Sequence, residues 1–145
     1  MTSTIEQTFN DLAWHDAIIL QLTVDRGSPG ENDEILLAVE WPDGTQQQIR
    51  FVDCYLLEAQ MNFGVVAPES IRDARCSNES SKLGEVRQRW ESLGVTLGDL
   101  QCFEVYTNST ASIIRICARG FQVEHGGGHP LEAMGKDRAV ARDQG

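Results

Sequence analysis

The chain has 145 residues, 41% of them apolar and 23% charged, with 22 acids against 12 bases and a net charge of −10. That length suits one domain with a single core, and the composition excludes wholesale disorder. The charge excludes nucleic acid and anionic bilayers as natural partners, because both repel a negative surface.

In chain order, residues 4–13 predict a first helix. Ser3 and Glu6 have capping-box spacing, and Ile5, Phe9 and Leu12 fall on one face. Residues 16–25 alternate, with Ile18, Leu20, Leu22 and Val24 expected on the buried side of a strand. The segment 26–33 has loop composition. Residues 34–41 alternate again, with Ile35, Leu37, Val39 and Trp41 inward. Trp41-Pro-Asp-Gly-Thr then predicts a tight turn into a return strand over 46–54, with Ile49 and Phe51 inward.

Residues 55–64 fit either a short helix or a bent strand. Asn62-Phe63-Gly64 reads as a turn, Val65-Val66 as a short resumed strand, and Pro68 as the start of a turn running through Ile71. Residues 72–82 are polar. Leu83, Val86, Trp90 and Leu93 define an amphipathic helix closed by Gly94. Strands are expected over 100–107 and 111–124. In the latter, Ile114, Ile116 and Ala118 share one parity and Phe121 and Val123 the other, which predicts a bulge at Gly120. From Gly126 the composition changes, so a globular domain over 1–125 and a flexible tail over 126–145 are expected.

Neighbouring strands joined by short turns favour antiparallel pairing. The expected fold is α+β and mainly antiparallel: a small sandwich or open barrel of five or six strands with two or three short helices.

Four cysteines, Cys54, Cys76, Cys102 and Cys117, make no C-x-x-C pair and predict neither a zinc knuckle nor a redox motif. With no basic, apolar leader, a cytoplasmic setting with reduced thiols is expected. Cys54, Cys102 and Cys117 read as core residues, and Cys76, among polar neighbours, as the most exposed thiol.

Few groups point to chemistry. His15-Asp16 has the form of the doublet with which metal phosphohydrolases activate water, but such sites need further ligands. The alternative is a hydrogen-bonded junction. His125 and His129 have i, i+4 spacing suited to a metal, yet the three glycines between them oppose a helix. A cysteine paired in space with a histidine is a third option, with nothing marking any thiol as activated. No G-x-S-x-G elbow or phosphate loop is present, and no motif implies a cofactor. Trp14, Trp41 and Trp90 follow apolar patterns that suit core packing, with an aromatic partner-binding spot as the alternative. The acids Glu31, Asp33, Glu34, Glu40 and Asp43 gather around the first hairpin. With Trp41 they make a candidate landing patch for a basic protein, led by Glu34, Glu40, Trp41 and Asp43.

The run Trp14-His-Asp-Ala, the strand ending Val24-Asp-Arg, Phe51-Val-Asp and the Tyr106-Thr-Asn-Ser…Ile-Arg-Ile-Cys-Ala ending resemble small bacterial domains that open on a His-Asp-Ala/Ser strand. Some of those are similar to immunity proteins of polymorphic-toxin systems. The resemblance implies protein binding rather than catalysis. The leading expectation is therefore a non-enzymatic interaction domain, an immunity-type inhibitor or accessory protein. A small metal-dependent hydrolase using His15 and Asp16, and a structural or ligand-binding homo-oligomer, are the alternatives.

Overall fold

The structure, a computed structural model, describes residues 4–31 and 33–125. The flexible tail expected over 126–145, and His129 within it, lie outside the described residues. Eight elements follow in order: α1 (Ile5–Asn10), β1 (Ile18–Asp25), β2 (Glu34–Glu40), β3 (Gln46–Gln60), β4 (Glu69–Ser77), α2 (Ser81–Glu91), β5 (Gln101–Thr107) and β6 (Ile113–His125). Every strand pair is antiparallel, and the six strands close in the order β1-β2-β3-β6-β5-β4. The α+β, mainly antiparallel expectation holds. The expected sandwich or open barrel is corrected to a closed one, because β1 reaches β4 through Ile18↔Ser70 and Ile19↔Glu69.

The β2–β3 hairpin forms as its alternation dictates. Ile35, Leu37, Val39, Ile49 and Phe51 are buried, and Gly44 takes the positive φ that the turn needs. Asp43 ties the turn by accepting from the Thr45 backbone N–H at 2.9 Å and hydroxyl at 2.7 Å.

Helix α1 is capped one residue later than the Ser3–Glu6 spacing predicts. Thr4 accepts from the Gln7 N–H, and the Gln7 side chain accepts from the Thr4 N–H, each at 3.0 Å. The helix places Phe9, wholly buried, among Trp14, Phe51, Phe103 and Phe121, with ring centroids 4.7 to 6.3 Å away. These rings and the inward strand residues form the barrel core. A second, smaller core lies outside the barrel, where Leu83 and Val86 of α2 cover Cys102, Cys117, Leu97 and Leu100.

Three local expectations are overturned and one left open is decided. In β1 the pairing shifts between Ile19 and Gln21, so Ile19 rather than Ile18 is buried and Leu20 (48% exposed) faces outward, while Leu22 beyond the shift packs against the core as expected. Ahead of the bulge the parity that alternation alone assigns is reversed. Second, β3 runs on to Gln60 as a bent strand, with Asp53 at positive φ and a register shift between Cys54 and Leu56.

Third, the polar stretch after Pro68 is strand β4, not a turn. Its inward residues Ile71, Ala74 and Cys76 are mostly small, and a shift between Ile71 and Asp73 breaks the alternation. Cys76 is consequently buried, and Cys54 is the most accessible of the four thiols, all of them free. Val65 and Val66 do not resume a strand; with Phe63 they sit exposed in the β3–β4 loop. Fourth, the parity change along β6 occurs, since Ile114, Ile116, Ala118 and then Phe121 all meet the barrel core. Its pairing with β3 nevertheless stays in register through Val52↔Gly120, and the shift lies on β3.

Helix α2 starts at its Ser80 cap and ends before Gly94, whose φ is positive. Leu93, expected on the apolar face, lies beyond the helix and is exposed. No helix among the described residues is long and apolar enough to cross a membrane.

Candidate functional site

The residues singled out by sequence do not converge. His15 and Asp16 form the turn entering β1. Asp16 adopts positive φ, its N–H donates to the Ile71 carbonyl at 2.9 Å, and His15 Nδ1 lies 3.1 Å from the Arg72 carbonyl oxygen. Their side chains are 76% and 68% exposed and 3.7 Å apart. This is the hydrogen-bonded junction, built on the surface rather than in a cleft. His125 is exposed at the end of β6, opposite Gln47. Among the described residues, no group of three or more His, Cys, Asp or Glu side chains is placed to hold a metal ion.

The predicted acidic patch is split. Trp41 is 7% exposed. It packs edge-on against Trp14 and donates its indole N–H to Gln47 Oε1 at 2.6 Å, so it belongs to the core and offers no contact face. Glu40 accepts from Gln46. The Asp43 carboxyl is held below its ordinary range by the Thr45 hydroxyl and N–H. Glu34 sits at the far end of β2, about 20 Å from Glu40 at strand rise. It pairs with Arg50, which also makes a two-pronged contact with Glu124 at 2.7 and 3.0 Å.

At Glu34 the structure does form a concavity. An open groove of about 390 Å³ lies between the β1–β2 loop, the bend in β3 and the end of α2. Asp25, Glu31, Asp33, Glu34 and Asp53 line it, with Arg26 as the lone base among the lining residues. Two of these acids organise the loop: Asp25 accepts from Gly27 N–H at 2.9 Å and Asp33 from Gly30 N–H at 3.0 Å. Glu31 and Asp53 are exposed, and Asp53 projects because the backbone turns into positive φ at the β3 bend.

The opposite wall is aromatic. Tyr55 and Trp90 meet edge to face at 5.5 Å, and Arg119 lies over the Tyr55 ring at 5.7 Å. Cys54 also lines the groove, and burial pushes its thiol up to about 12. Cys102 and Cys117 stand directly opposite each other on β5 and β6, buried beneath α2 behind the Tyr55–Trp90 wall, and do not line this groove.

Sequence reasoning singled out Glu31, Asp33 and Glu34, and weighed Trp90 as an aromatic contact without linking it to them, but missed Asp53 and Tyr55. All three aromatic and acidic residues, Asp53, Tyr55 and Trp90, come together through the β3 bend and the packing of α2, which no spacing along the chain encodes.

Fold and groove together define a small closed antiparallel barrel whose surface carries an acidic, aromatic-walled depression. No family model matches the chain, and no curated protein sequence matches it.

Proposed function

We propose that this protein is a non-enzymatic interaction domain that docks a basic partner at the groove beside the β3 bend. It would act as an inhibitor or accessory protein of the immunity type, by occluding the partner's surface. The observation that carries the reading is the meeting of five carboxylates with the Tyr55–Trp90 wall in one concavity. Carboxylates complement lysine or arginine heads, and aromatic rings accept their aliphatic stems and cationic faces. The net charge of −10 supports long-range attraction of such a partner. Glu34 keeps its expected place in the contact; Asp25, Glu31, Asp53, Tyr55 and Trp90 replace Glu40, Trp41 and Asp43.

The test is a titration with a lysine- and arginine-rich peptide followed by NMR. The Trp90 indole resonance and the amides of 25–34 and 53–56 should shift together, while the Trp41 indole stays still. Neutralising Glu31 and Asp53 (Glu31→Gln, Asp53→Asn) should weaken binding roughly tenfold and flatten its salt dependence. Shifts spread evenly over the acidic surface, or an affinity untouched by the double substitution, would remove the groove from consideration.

A further inference from the structure

Cys102 and Cys117, unmarked by their spacing along the chain, are direct partners on the β5–β6 ladder. The phase of that ladder is fixed at its turn, where the Thr107 N–H donates to the Ser112 carbonyl at 3.0 Å. Thr107 and Ser112 are therefore a hydrogen-bonded pair, and no register shift interrupts the ladder from Tyr106↔Ile113 to Gln101↔Ala118. Hydrogen-bonded and non-hydrogen-bonded pairs alternate along such a ladder. Cys102 and Cys117, five steps on, are consequently a non-hydrogen-bonded pair. In such pairs the Cα atoms stand about 4.5 Å apart and the side chains come closest. A disulfide spans Cα separations of about 4.4–6.8 Å, so this pair lies within its reach.

The other two thiols have no cysteine opposite them. Cys54 faces Ala118 across β3 and β6, and Cys76 faces Phe103 across β4 and β5. Both side with the barrel core rather than with the cluster beneath α2. The paired sulfurs are also unequal. Ser80, the cap of α2, accepts from the Lys82 N–H at 3.2 Å, which leaves its hydroxyl proton to donate. The Cys117 thiol and then that hydroxyl favour the charged form of Cys102 and hold it below the ordinary thiol range, against the burial that raises it. Cys117 is pushed the other way, by Cys102 first and by burial next.

We infer that Cys102 and Cys117 are a redox site, a dithiol that a hydroperoxide closes to a cross-strand disulfide. The Cys102 thiolate sulfur attacks one peroxide oxygen, the O–O bond breaks, and the departing oxygen takes up the proton that the thiol released. The Cys117 sulfur then attacks the resulting Cys102 sulfenic acid. The S–S bond forms, the S–O bond breaks, and water leaves with the Cys117 proton. Two thiols lose two electrons, and the hydroperoxide is reduced to an alcohol and water, or to two waters from hydrogen peroxide itself. Leu83 and Val86 cover both sulfurs, so the reaction proceeds as α2 lifts from this small outer core while the barrel stays closed.

The site is independent of the groove, and hydrogen peroxide is the probe. Trypsin separates the four cysteines, placing Cys54 in 51–72, Cys76 in 76–82, Cys102 in 90–115 and Cys117 in 116–119. The full, folded chain is treated with peroxide, alkylated and mapped by mass spectrometry without reduction. Peptides 90–115 and 116–119 should appear joined with the loss of two hydrogens, and a thiol reductant should part them. Cys54 and Cys76 should be joined to neither. Cys117→Ala should stop the reaction at the sulfenic acid, so that dimedone labels Cys102. Circular dichroism checks that the variant folds, and the wild-type map decides alone if it does not. No joined pair from the folded chain, joining that appears only after unfolding in urea, or a folded Cys117→Ala chain without dimedone on Cys102 overturns the inference.

Discussion

Phe9 shows how much one side chain can organise. It comes from a six-residue helix, too short to be stable by itself, yet it is wholly buried among four other aromatic rings. The helix is held through this ring and through the Phe9 carbonyl, which accepts the Trp14 indole N–H at 2.7 Å. Phe9→Ala should therefore lower stability by about 3–5 kcal/mol, the range for emptying an aromatic site in a packed core. Urea unfolding measures this. A loss under about 1 kcal/mol would mean the cavity collapses and α1 is not anchored by the ring.

Among the elements, the outer face of the sheet carries a row of alternating charges across four strands. Glu58 of β3, Arg115 of β6, Glu104 of β5 and Arg75 of β4 pair in sequence, and Lys82 of α2 joins at Glu58. A one-residue slip of any strand would break the row, so it reinforces the register that the apolar faces set. Burial alone would raise the Glu104 carboxyl, but Arg115 and Arg75 outweigh it and hold the group below its ordinary 4.5. Arg50 does the same for Glu124 against weaker burial.

A carboxyl depressed in the folded state contributes stability that is complete above its unfolded value and is lost as pH falls through its folded one. The urea midpoint should accordingly hold steady between about pH 7 and 5 and drop below about 4.5. In Glu104→Gln it should start lower and fall less steeply. Parallel curves for wild type and variant would show that Glu104 contributes nothing through its charge.

At the level of the whole molecule, the six strands of the barrel are unequally joined. The long β3–β6 pair, running from Gln47↔His125 to Gln60↔Ile113, is its spine. The β1–β4 contact, two paired residues extended by the Asp16 and Ala17 hydrogen bonds to Ile71, is its weakest closure. Amide exchange in dilute solution should be slowest along the centre of β3 and β6 and fastest, among strands, in β1 beyond Ile19. Equal protection along β1 and β6 in dilute solution would contradict so short a closure. The groove lies at the bend of the rigid spine, which suits a preformed contact surface.

Sequence alone determined the elements whose side chains alternate or repeat without interruption: the β2–β3 hairpin, α2, β5 and the antiparallel class of the fold. In each, the period of apolar residues reports directly which face is buried. Tertiary structure decided the rest. A bulge at Leu20 put Ile19 inward in place of Ile18 and Leu20, small interior residues concealed β4, and barrel closure buried Cys76. The candidate site followed the same rule. Glu34 was legible because acids cluster there along the chain, whereas Asp53, Tyr55 and Trp90 join it through a bend and a helix packed from much further along the chain. Periodicity records contacts between a residue and its sheet, but a groove is made by residues whose sequence separation carries no information about their distance.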